Sequence, residues 1–206
     1  MIKPQRKDDE LLADIAATDP GDGFAVWWLG QSGFLIKCAA GHLLFDPYLS
    51  DSLTRKYATT DKPHVRMTEL VVDPSRLDFI DVVTSSHNHT DHLDGETLNA
   101  LREANPGLKM VGPEANRAFI AERLGCDSDW MIGLSDGDSA DVGGFKIHGV
   151  PAAHEQDQRD DAGQCHFMGF VARFGSHAVY HSGDTMLYDG IEAKLEPFGV
   201  DLALLP

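Results

Sequence analysis

The chain has 206 residues, with 33 acidic against 17 basic side chains and a formal net charge of −16. Its length suits one domain that buries roughly 70% of its unfolded surface, and 42% hydrophobic with 24% charged residues excludes a disordered chain. A field of this sign repels phosphate backbones and anionic membranes, so neither nucleic acid nor a membrane surface is expected as a partner. The three cysteines, Cys38, Cys126 and Cys165, form no CxxC pair, which removes a disulfide framework and a thiolate zinc knuckle. The N-terminal stretch is charged and lacks the apolar core of a signal peptide, and no apolar run reaches the ~20 residues of a membrane span. A cytoplasmic protein is expected.

Residues 8–18 read as a short amphipathic helix closed by the turn-rich TDPGDG. FAVWWLG (24–30), GFLIKC (33–38) and HLLFD (42–46) are apolar runs parted by Gly-containing turns, an antiparallel meander. The stretch 47–74 is polar and irregular, with a helical turn at 68–71. IDVVTSS (80–86) is apolar throughout and reads as a central strand. A helix over 95–105, the strand KMVG and a helix over 113–125 with Pro at its first turn follow. WMIGL, SADVGG and FKIHGVPA are strands, with the DG-containing segment 136–141 as a hairpin turn. HFMGFVARF (166–174) and HAVYHSGD (177–184) pair as a hairpin, and IEAKLEPFG and VDLALLP supply a helix and a last strand. Strands in runs with interspersed helices predict an α+β fold of sheets covered by helices in one domain, 1–206, with 1–22 as a helical extension.

HNHTDH, residues 87–92, carries the chemistry. Alternate residues of an extended segment project to one side, so His87 and His89 can reach one ion together. Thr90 is placed to cap the following helix, with Asp91 and His92 at its first turn. Imidazoles and a carboxylate without thiolate suit Zn²⁺, Mn²⁺ or Fe²⁺; the plainer alternative is a solvated His-rich turn.

H-x-H-x-D-H after an apolar strand resembles the signature of the metallo-β-lactamase superfamily, and HLLFDP, PAAH (151–154) and HSGDT match its other motifs in order. AVWWLGQSGFLIK, SSHNHTDHLD and YHSGD are similar to its L-ascorbate-6-phosphate lactonase-like branch, over about residues 24–206. The resemblance implies an αββα sandwich, two mixed sheets flanked by helices in four layers, and one or two divalent ions, Zn²⁺ or Mn²⁺. One ion would sit on His87, His89 and His154, a second on Asp91 and His92, with Asp184 bridging. The family completes its second site with a histidine further downstream, and none follows His181. The chain is therefore expected to lack its C-terminal part, the alternative being an incomplete second site.

Asp46 is expected to orient metal ligands, with a strand-end turn as the alternative. His181, three residues before Asp184, is either a catalytic neighbour or a packing partner. Arg55, Lys56, Lys62, His64 and Arg66 concentrate positive charge within 54–66. They offer an anion-recognition loop, or a solvated basic one; Tyr48 would line the pocket mouth. The implied activity is hydrolysis of a lactone or cyclic ester of a small metabolite, phosphorylated or not, by metal-activated water, with Asp91 orienting or deprotonating it. A small-molecule phosphodiesterase, a metal-binding homologue without turnover, and a homo-oligomer stay open.

Overall fold

The computed structural model describes residues 1–205. Six strands form the first sheet in sequential order: β1 (Phe24–Gly30), β2 (Gly33–Cys38), β3 (Gly41–Phe45), β4 (Val82–Thr84), β5 (Lys109–Pro113) and β6 (Met131–Leu134). The first three pair antiparallel, as the meander predicts, and β3 to β6 pair parallel. The second sheet has five strands: β7 (Ser139–Val142), β8 (Phe145–Pro151), β9 (Met168–Phe174), β10 (His177–His181) and β11 (Leu202–Leu204). It is antiparallel except where β10 and β11 run parallel. Pro206, the end of the predicted last strand, lies outside the described residues.

Alternation along each strand assigns the layers. Leu35, Leu44, Val83 and Met110 share one core with Leu11, Ile15, Leu98, Leu101, Ile120 and Leu124. Those last six come from helices α1 (Asp9–Ala17), α3 (Gly95–Ala104) and α4 (Arg117–Leu124). Their sequence neighbours Ile36, Leu43, Phe45, Val82 and Val111 point the other way, onto Phe145, Ile147, Met168, Phe170 and Ala172 of the second sheet. The far face of that sheet, Val150, Val171, Ala178 and Tyr180, meets Leu195, Phe198 and Val200 in and after α5 (Ile191–Leu195). Helix, sheet, sheet and helix are therefore stacked in the predicted order, and the strands buried on both faces are the continuous apolar runs of the sequence. No helix among the described residues is long and apolar enough to cross a membrane.

Several expectations are corrected. The polar stretch 47–74 contains a helix, α2 (Ser52–Tyr57), while 68–71 is extended: Ile2 bridges to Thr68 and exchanges backbone hydrogen bonds with Met67 and Glu69. Pairing with the N-terminus satisfies the same groups a local turn would have used. The segment 136–141 is no hairpin; it carries the chain from β6 in one sheet to β7 in the other. The hairpin turn is Gly143–Gly144, both at positive φ, where β7 turns into β8. The 113–125 helix splits into a 3-10 turn, Glu114–Asn116, and α4, closed by Gly125 in the left-handed conformation.

Asn105 ties α3 to the approach of β4. Its Oδ1 accepts from Ile80 N, and its Nδ2 donates to the Leu77 and Leu101 carbonyls at 2.7 and 2.8 Å. Asn105→Ala leaves Ile80 N and Leu77 O without this partner, while Leu101 O keeps the Asn105 backbone N–H, and should cost about 2–4 kcal/mol. Urea unfolding should show a lower midpoint at unchanged slope; an unchanged midpoint would contradict the tie.

Candidate metal centre

Every motif residue hangs from the end of a strand. After β4 the chain leaves the sheet, and the backbone turns so that His92 N and Leu93 N both donate to His89 O. The cap of α3 is Asp94, whose carboxylate accepts from Thr97 N at 3.1 Å, and not Thr90. A carboxylate at the N-terminus of a helix outbids a hydroxyl four residues too early, so Asp91 and His92 lie in the loop before α3. The Thr90 hydroxyl instead accepts from Lys56 Nζ at 3.3 Å.

His87 is buried, stacked on Phe167 and 4.1 Å ring to ring from His92. Ser86 Oγ meets His87 Nδ1 at 2.9 Å, which turns Nε2 towards Asp184, 3.8 Å away. Burial first, then the neighbouring His92, push the His87 pKa down to about 2, so the ring is neutral and its lone pair free. His92 is held from both ends: Nδ1 donates to Asp46 Oδ2 at 2.7 Å and Nε2 lies 3.1 Å from Asp184 Oδ1. Burial opposes charge on this ring, but its hydrogen bonds to Asp184 and Asp46 outweigh burial and raise its pKa.

Asp184 is delivered by Gly183, which has φ +56 and packs so closely on Ser86 and Met168 O that a Cβ would clash at 2.7 Å. His154 reaches the cluster from beyond β8, its Nε2 3.8 Å from Asp184 Oδ2 and its ring 5.0 Å from that of His89. Asp91 Oδ2 lies 3.9 Å from His92 Nε2. His87, His92 and His154 thus meet around Asp184, atoms of His87, His89 and Asp184 lie within 4.8 Å of one another, and Asp91 joins the group through His92.

Asp46 is fully buried at φ +39, directly after β3. Besides His92 it accepts from Thr84 Oγ1 and Ser86 N, each at 3.0 Å. Burial works against its charge, and the facing His181 together with the hydrogen bonds from His92 and Ser86 hold it below the usual carboxylate range. His181 is fully buried behind the cluster, bonded through Nε2 to the Ser32 carbonyl at 2.9 Å; it does not face the open side.

The substrate candidates part company. Arg66 is buried, donating to the carbonyls of Thr68, Ser50 and Tyr48 with its guanidinium over the Tyr48 ring. Tyr48 is itself buried, its hydroxyl accepting from Leu53 N, and Arg55 pairs with Glu96. Lys56 and His64 of the basic stretch line the cleft of about 470 Å³ that opens beside His89 and Asp91. The turn Gly30–Gly33 enters the site although GQSG matches no catalytic motif. Gln31 Nε2 donates to Asp91 Oδ2 at 3.1 Å, and Ser32 Oγ to Asp91 O. Its one signal is a non-glycine residue, Gln31, at φ +50 between two glycines.

The four-layer sandwich and this histidine–aspartate cluster place the chain in a known class: a family model described as "Beta-lactamase superfamily domain" matches residues 42–206, and the chain belongs to the metallo-β-lactamase superfamily. Among curated relatives, a UPF0173 metal-dependent hydrolase of Opitutus terrae is 32% identical over 183 residues, spanning 87% of this chain and 70% of its own length. Another, from Saccharolobus solfataricus, is 28% identical over 87% of this chain and 69% of its own. Igni18, described as a metallo hydrolase from Ignicoccus hospitalis, shares the fold at TM-score 0.58 and 23% identity, covering 87% of this chain and 69% of that one.

The residues fit a divalent transition ion. His87 Nε2 is buried with no hydrogen-bond partner among the described residues, an arrangement that costs free energy unless something electropositive lies against it. His87→Ala and His89→Ala should each abolish stoichiometric metal after dialysis, read by inductively coupled plasma mass spectrometry; full retention in both would contradict the assignment. Asp46→Asn keeps a side chain that tolerates positive φ but exchanges the acceptor at His92. It should lower metal affinity about 10–100-fold with the far-UV circular dichroism preserved, and unchanged affinity would refute an orienting role.

Proposed function

We propose that the protein is a hydrolase dependent on one or two divalent ions, Zn²⁺ or Mn²⁺, that opens a lactone or cyclic ester of a small metabolite with water as nucleophile. The observation that carries this reading is the unpartnered Nε2 of His87 inside a His–Asp cluster that borders an open cleft. His87, His89 and His154 would hold one ion and Asp91 and His92 the other, with Asp184 between. The ion supplies Lewis acidity, lowering the pKa of water towards ~7 and polarising the scissile carbonyl.

The remaining work falls to the chain's own side chains. Asp91, fixed through Gln31 and Ser32, orients the attacking water and takes its proton. Phe167, packed on His87, His89 and His154, walls off one side of the cluster. The substrate enters from the cleft on the side of His89, and no covalent enzyme intermediate is needed. A small molecule is the expected partner, given the charge of −16.

Sugar and aliphatic lactones should be turned over in a chelator-sensitive way with Mn²⁺ or Zn²⁺ supplied separately. Asp91→Asn should lower kcat about 10²–10⁴-fold. Turnover of bis-p-nitrophenyl phosphate alone would overturn the lactone reading in favour of a phosphodiesterase, and turnover of neither would overturn the hydrolase.

A further inference from the structure

The cleft beside the cluster is walled by α2 on one side and α4 on the other, with Lys56, Tyr57 and His64 facing Phe119 and Arg123 across the metal loop. Its two permanent cations are Lys56 and Arg123, in a chain whose acidic residues outnumber basic ones 33 to 17. Lys56 and Arg123 take no carboxylate partner among the described residues, although Asp91 borders the same cleft; that carboxylate meets Gln31 and His92 instead. The other polar neighbours are Thr90, Tyr57, His64 and His89.

Arg123 is also held still. Its Nη1 donates to the carbonyls of Asn88 at 2.7 Å and Leu93 at 3.2 Å, the two flanks of the segment that bears His89, Asp91 and His92. Its guanidinium lies 4.4 Å over the Phe119 ring. One nitrogen and one face are committed, while Nε and Nη2 have no hydrogen-bond partner among the described residues. A planar donor edge fixed in this way loses little entropy on meeting a two-oxygen acceptor.

We propose that this cleft is the subsite for an anionic group of the substrate, a carboxylate or a phosphate monoester, anchored by Arg123 and Lys56. The reading rests on the hydrolase assignment for its place beside the reacting bond, and not for its binding chemistry. Arg123 then has two duties, since the same guanidinium that braces the metal loop fixes where the anion stops.

The test begins with chelator-treated protein titrated calorimetrically with inorganic phosphate and, separately, with acetate. Saturable binding of at least one is expected, and the stronger ligand names the anion. Lys56→Gln, at an exposed side chain, should weaken binding tenfold or more at unchanged melting temperature, and Arg123→Met should abolish it. Absence of saturable binding, or binding that both variants retain, would overturn the proposal. In the metal-loaded protein, Lys56→Gln should lower the kcat/KM ratio of anionic to neutral esters at least tenfold. Because the titration needs no turnover, a failed hydrolase assignment leaves its outcome readable.

Discussion

The hydrogen bond from His92 Nδ1 to the buried Asp46 carboxylate, 2.7 Å long, is the contact on which the rest of the site depends. Asp46 sits at the end of β3, Thr84 at the end of β4, and Ser86 and His92 on the loop beyond. One carboxylate collects donors from three of them. Removing such a charge from water costs several kcal/mol, and a left-handed backbone at a non-glycine residue adds about 1–2 more. The charge is retained because it fixes the tautomer and direction of His92, so that Nε2 can only face Asp184. Where a histidine ligates a metal, a carboxylate on its other ring nitrogen fixes its orientation in this way.

The two sheets supply the rigidity this geometry needs. β3 and β4 end on one side of the central core, and β8 and β10 deliver His154 and Asp184 from the other. The seam closes where Gly183 meets Ser86 with no room for a side chain. Met186 N to Ala153 O and Ala153 N to Thr185 Oγ1 then stitch the two delivering segments together. A centre assembled from both sheets is sensitive to their packing distance, which the interleaved apolar side chains between them set.

Much of this was legible in the sequence because the strands bury both faces and so appear as unbroken apolar runs. The histidine motif was legible because it follows a buried strand and precedes a helix. What escaped were features decided by tertiary partners. Ser52–Tyr57 carries no apolar periodicity and is a helix because Leu53 is buried and its N–H finds the Tyr48 hydroxyl. Thr90 has the chemistry of a cap, but Asp94 adds a charge and links to Ser52 and Thr97. Arg66 and Tyr48 look like surface recognition groups in a basic stretch, yet they pack on each other in the interior. Gln31, Ser32 and Arg123 touch the metal loop from 30 to 60 residues away, and no local pattern announces that.

The most direct test is anomalous diffraction from crystals grown with Mn²⁺ or Zn²⁺, recorded on either side of the metal's absorption edge. The account predicts a peak bound by His87 Nε2, His89 and an Asp184 oxygen at about 2.0–2.2 Å, with Nδ1 of His92 still on Asp46. A map with no peak at this cluster, or one whose peak excludes His87, would contradict it.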